Sequence, residues 1–224
     1  MEMLNKFFSG DNMLFKIFSV LADVLAFSVL WLVCAVTVAG LGPGTTALYD
    51  AMARHLRRNQ PGGYLRFWAS LKANFKVGCP AGLAVAALGW AMVKLHGFLY
   101  AGAAAGDGTL FACYIAFWIF LVVLCGVTAY IFPVLSRFTF GVGGLLAASV
   151  KLALAHPLTT LLLGLLTVGC VLLCVEFWMW MVWLVLPYVW ALLASLLLER
   201  VFRPFMEEQG EAEGTVPELD DEEE

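Results

Sequence analysis

Three ionisable residues set in apolar surroundings are the first candidates for chemistry: Asp23, Lys94 and His96. A charge inside a bilayer is costly, so such residues either pair or line an ion or proton path. Asp23 lies nine residues past Leu14, and Lys94 lies seven before Ala101. At the rise of an α-helix both sit roughly 10–14 Å from the outer ends of two antiparallel spans. An Asp23–Lys94 contact joining these spans, with His96 nearby, is the sharper expectation. The plainer one has Lys94 snorkelling outward and Asp23 resting at the interface.

A second candidate is the cation cluster Arg54, Arg57, Arg58, Arg66, Lys72 and Lys76. On amphipathic helices these residues could hold anionic headgroups or a protein partner, at about 1 kcal/mol per residue near the surface. They could equally do no more than set orientation. The third candidate, Gly40-x-Gly42-x-Gly44 with Pro43, invites a phosphate cradle. It lacks the Gly-Lys-Ser/Thr ending of a P-loop and follows an apolar segment instead of a buried strand. A structural turn is the better reading, with Pro43 or Thr45 opening the next helix.

Other sets with catalytic potential do not assemble. His55 and His156 have no second His, Cys or carboxylate at ligand spacing, so no metal is expected. The cysteines Cys34, Cys79, Cys113, Cys125, Cys170 and Cys174 all fall in apolar stretches, as small packing residues do. Thr159, Thr160, Thr167 and Ser195 suit helix–helix hydrogen bonds better than nucleophilic attack. No cofactor and no enzymatic activity are expected.

The elements that must position these residues are membrane helices. Of 224 residues, 62% are apolar and 13% charged, with a mean hydropathy of +0.88. A soluble domain is nearer half apolar and a quarter charged, so the excess belongs in lipid. Five spans are expected, at about 14–40, 77–100, 109–135, 152–175 and 177–198, each near the 20 apolar residues that a bilayer requires. The loop 42–76 carries two stripes, Leu48-Met52-Leu56 and Tyr64-Trp68-Leu71-Phe75, divided by Pro61-Gly62-Gly63. These predict two short amphipathic helices lying in the membrane surface. Residues 1–206 thus form one all-α polytopic bundle. The stretch 207–224 holds ten of the 17 acidic residues and no Lys or Arg, the composition of a disordered acidic tail. The remaining body has 13 basic against seven acidic residues.

Orientation follows from the cations near span ends. The six cations of the first loop, with Arg137, Lys151, Arg200 and Arg203, fall on one side. Lys6, Lys16 and Lys94 fall on the other. This bias predicts a cytoplasmic first loop and C-terminus and an outside N-terminus. Trp178, Trp180 and Trp183 then form the outer aromatic belt.

Four motifs in order carry a family resemblance. They are Thr37 with Gly42-Pro43 and Ala47-Leu48-Tyr49; Phe67-Trp68 with Lys72-Ala73-Asn74-Phe75-Lys76; Pro133 with Arg137-Phe138; and Leu197-Leu198-Glu199-Arg200-Val201-Phe202. Over nearly its whole length the chain resembles the YesL-like family of bacterial integral membrane proteins. The resemblance implies a five-helix protein of the bacterial inner membrane, often encoded beside binding-protein-dependent carbohydrate uptake systems. It supplies no catalytic or ligand residue. Three function classes follow. The first is a non-enzymatic accessory protein touching the lipid bilayer and a transporter permease. The second is a small-solute transporter or channel using Asp23, Lys94 and His96. The third is a lipid-directed enzyme, for which no catalytic group is found. A nucleic-acid partner is not expected for a chain so apolar.

Overall fold

A backbone surrounded by lipid has only itself to hydrogen-bond with, and these charge-poor runs of Leu, Val, Ala and Phe accordingly become helices. The computed structural model describes the backbone of residues 13–58, 63–176 and 180–214, and side chains within 22–53, 63–176 and 185–205. In chain order the helices are α1 (Met13–Val36), α2 (Leu41–Arg58), α3 (Gly63–Ala104) and α4 (Gly108–Ala129). After them come α5 (Ile131–Arg137), α6 (Val142–Ala155), α7 (Pro157–Glu176) and α8 (Trp180–Gly214). No strand occurs among the described residues. Four helical stretches are long and apolar enough to cross a membrane: Gly63–Ala104, Gly108–Arg137, Pro157–Glu176 and Val185–Phe205. Ala22–Val36 within α1 and all of α6 are shorter apolar helices. The protein is an all-α membrane bundle.

The first three helices fold differently from the expectation of a span followed by surface helices. α1 and α2 form a tight antiparallel hairpin. The Trp31 indole N–H donates to Thr45 Oγ1 at 3.0 Å, and Phe27 packs in one cluster with Leu48, Ala51 and Met52. α2 in turn runs antiparallel to the first half of α3, with Gly42 against Gly78 and Gly82 and Met52 in the same cluster as Phe67. α2 is therefore not a surface helix: Thr46 to Ala53 are all buried. Nor is the second stripe a separate helix, because Tyr64 to Phe75 form the first turns of the 42-residue α3. Pro80 lies inside α3 and removes one backbone donor without ending the helix. The divider at 59–62 lies outside the described residues.

Gly40, Gly42 and Gly44 explain the hairpin, though not through unusual backbone angles. Between α1 and α2 the positive φ belongs to Val38, at 51°. The glycines are needed because a Cβ would have no room. On Gly42 it would meet the Gly78 carbonyl, on Gly44 it would lie 2.8 Å from Cys34 Cβ, and on Gly82 2.6 Å from Gly42 N. Backbone-to-backbone approach of this kind is how small residues join membrane helices. Thr37 closes the turn by donating to the Cys34 carbonyl at 2.7 Å and accepting from Gly40 N at 3.1 Å. Pro43 sits in the first turn of α2, where its missing N–H has no intrahelical partner to lose.

The rest is a set of hairpins. Asp107 caps α4 by accepting from the backbone N–H of Thr109 at 2.8 Å and Leu110 at 3.2 Å. α4 and α7 cross closely, where a Cβ on Gly126 would meet Thr160 and one on Gly164 would meet Val122. Most of the stretch between the expected spans 109–135 and 152–175 is taken up by α6, which starts at the Gly141 cap and ends at the His156 cap, just before Pro157 begins α7. α8 continues through Pro187 and Pro204 to Gly214. The first residues of the acidic stretch are thus helical, while 215–224 lie outside the described residues. The main core gathers Tyr49, Tyr130, Val134, Leu145, Leu163, Leu198 and Phe202 from α2 and α4 to α8.

Candidate functional site

The densest polar arrangement in the described structure unites three residues 62 and 87 positions apart in sequence. α5 is a buried helix of under two turns that breaks from α4 at Tyr130 and carries Arg137 in its last turn. Its burial holds the guanidinium between α2 and α8. Arg137 Nη1 donates to Asp50 Oδ1 at 3.2 Å, while Nη2 and Nε donate to Glu199 Oε1 at 2.7 and 3.2 Å. The side chains are only 3%, 8% and 11% exposed for Arg137, Asp50 and Glu199. Arg137 Cζ also stands 5.9 Å from the centre of the Tyr49 ring, within cation–π range. A neighbouring Phe138–Phe202 edge contact at 6.1 Å closes the α5–α8 side.

Arginine keeps its charge and fits a carboxylate with a rigid fork. The triad therefore fastens α2, α5 and α8 in one register. From the sequence Arg137 reads as one of the cations that set orientation, and Asp50 falls within a helix expected to lie in the membrane surface. The signal was nevertheless present, since Arg137 and Glu199 both belong to the quoted motifs and Asp50 follows Ala47-Leu48-Tyr49 directly.

The expected Asp23–Lys94 contact is absent. Tyr64 donates its hydroxyl to Asp23 Oδ1 at 2.7 Å, and its ring stacks on Phe27 at 4.8 Å. Tyr64 stands in the first turn of α3, before the apolar 77–100 segment. Lys94 follows Tyr64 by 30 residues of the same helix, about 45 Å away along the axis. The expectation failed because α1 runs parallel to the first half of α3 instead of antiparallel to its second half. Lys94 instead lies 4.6 Å over the Trp90 ring. His96 is separate again: its Nε2 is 3.2 Å from Tyr114 Oη, amid Tyr100, Phe117 and Trp118. Asp23 is thus far from Lys94 and His96, and the contacts of Lys94 and His96 fall on different side chains.

The cation cluster divides along α2 and α3. Arg54, Arg57 and Arg58 belong to the end of α2, and their side chains lie outside the described residues. On α3, Lys72 and Lys76 are exposed and Arg66 is half-buried. They accompany Leu65, Trp68 and Phe75, which are 80%, 46% and 48% exposed. The opposite face, with Gly63, Phe67 and Ser70, is buried. The head of α3 thus presents a basic, aromatic strip on a rigid support. Trp178 and the side chains of Trp180 and Trp183 lie outside the described residues. Among the described residues, no three His, Cys, Asp or Glu groups stand together as a metal site would need.

This geometry defines the protein as a polytopic helical membrane protein with a buried ion triad. Residues 24–94, from α1 through α2 to Lys94 of α3, match a family model described as "Protein of unknown function, DUF624". No curated protein and no solved structure matches the chain.

Proposed function

We propose that the protein is a non-enzymatic accessory component of a bacterial inner-membrane transport system. A carbohydrate uptake system is the specific association that the family resemblance implies. The observation carrying this reading is the exposed strip of Leu65, Trp68, Lys72, Phe75 and Lys76, backed by the buried α2–α3 packing. Exposed aromatic residues of this kind are enriched at interfaces, and the neighbouring lysines can orient an encounter through charge. Asp50, Arg137 and Glu199 bond to one another, which favours a structural role over catalysis.

Orientation follows the same logic. The Asp23–Tyr64 bond puts this part of α1 beside the beginning of α3. Lys16 at the start of α1 therefore joins the end of the bundle that holds Arg66, Lys72 and Lys76. Lys94 lies toward the other end, so the charge bias is sharper than with an outside N-terminus. On this reading both termini are cytoplasmic.

The test is affinity purification from native membranes in a mild detergent, comparing wild type with Leu65→Glu and with Lys72→Glu/Lys76→Glu. A permease should be recovered in stoichiometric amount with the wild type and lost with both exposed-strip variants. Recovery of the wild-type protein alone, after cross-linking in intact membranes, would overturn the reading.

A further inference from the structure

We propose that a cavity between the α1–α2 hairpin and the α4–α7–α8 wall is a binding site for the acyl chain of a membrane phospholipid. The cavity has a volume of about 370 Å³, within the size range of small-molecule pockets. Its deep end is formed by buried Leu48, Ala129 and Phe132. On α7 it is bounded by Val171 and Val175, which are 56% and 65% exposed. It therefore opens sideways beside a helix apolar enough to cross the membrane, toward lipid and not toward water.

The wall chemistry selects a hydrocarbon. Thr45, Thr128 and Thr167 line the cavity, but each hydroxyl donates to its own helix. The acceptors are the carbonyls of Leu41 at 2.7 Å, Leu124 at 3.0 Å and Leu163 at 2.8 Å. Both lining indoles are also committed, Trp31 to Thr45 and Trp190 to Thr167, each at 3.0 Å. Ordered water would need two to four polar partners, and the hydroxyl and indole donors here are already used, leaving only the weakly polar thiols of Cys170 and Cys174. The bilayer is the solvent at the mouth, so an acyl chain is the occupant that matches both wall and access. A chain seated there touches α1, α2, α4, α7 and α8, meets Val85 of α3 and Phe132 of α5, and supports the α1–α2 hairpin against the rest of the bundle.

The test uses the full-length protein in phosphatidylethanolamine–phosphatidylglycerol vesicles. These contain a trace of phospholipid bearing a photoreactive diazirine either on an acyl chain or on the headgroup, and adducts are mapped by mass spectrometry. The chain probe should mark Cys170 and Cys174 on the cavity side as well as the outward Leu165 and Leu172. The headgroup probe should leave the cavity side unmarked. Val85→Phe fills the cavity from α3 and Ala129→Phe from its deep end. Whichever folds should lose the cavity adducts while keeping the outward ones. The proposal is overturned if wild type shows no cavity adducts, or if they survive filling. It is also overturned if a photoreactive free fatty acid marks the cavity while the phospholipid does not.

Discussion

Replacing Arg137 by Met removes the cation between two carboxylates while keeping much of its apolar stem. Asp50 and Glu199 then remain buried beside each other's charge without the guanidinium that holds both. At an effective dielectric of 20, opposite charges 4 Å apart attract by about 4 kcal/mol. Removing one member of a buried pair typically costs about 3–5 kcal/mol, because the partner's charge loses its compensation. For a protein of this size that corresponds to a fall of roughly 6–20 °C in Tm. Tryptophan fluorescence during thermal unfolding in a mild detergent measures it. Arg137→Lys should fall in between, since an ammonium lacks the fork that reaches both partners. The decisive variant is the triple Asp50→Asn/Arg137→Met/Glu199→Gln, which removes every charge at once. It should recover most of the loss, as buried ion clusters replaced by neutral groups commonly do. If Arg137→Met costs under about 1 kcal/mol, or if the triple variant loses the sum of the singles, the triad does not hold the bundle as argued.

The helix crossings make a contrasting prediction. Gly42→Leu and Gly82→Val should each destabilise by about 1–3 kcal/mol or prevent folding through overpacking. Gly89→Ala and Gly97→Ala, where an added Cβ meets nothing within 4 Å, should be neutral or gain up to about 1 kcal/mol from helix propensity. Equal losses at all four sites would show that contact is not the cause. Asp23 should couple to Tyr64 and not to Lys94. A double-mutant cycle of Asp23→Asn with Tyr64→Phe should give an interaction of about 1 kcal/mol or more, and one with Lys94→Met should be additive; the reverse pattern refutes the described α1 packing. For orientation, single cysteines in a cysteine-free background should behave alike at positions 2 and 224, both protected from an impermeant maleimide in intact cells. Ala105→Cys, at the α3–α4 turn, should react. A reactive position 2 would restore an outside N-terminus.

Helical class and approximate span positions were legible because they depend on local quantities. Runs of apolar residues act through their own neighbourhood: the expected span 109–135 corresponds to α4 and α5 with a break at Tyr130, and the described part of 177–198 lies in α8 from Trp180 onward. The direction of α1 was not legible, because a helix of that length can serve as a separate span or as half of a hairpin. What decides is the match between Gly42 and Gly78-x-x-x-Gly82, a long-range fit of backbones that composition does not record. The same ambiguity hid the triad. Counting Arg137 as a surface cation assumed that each charge near a span end faces water. Once α2 turns back into the bundle, Asp50 has no water to face, and a buried carboxylate requires a partner. α5 supplies it by carrying Arg137 inward, and Glu199 takes up the other side of the fork. The hairpin of α1 and α2 and the ion triad are thus two consequences of one packing event. A substitution that opens the Gly42–Gly78 crossing should therefore also weaken the dependence of stability on Arg137.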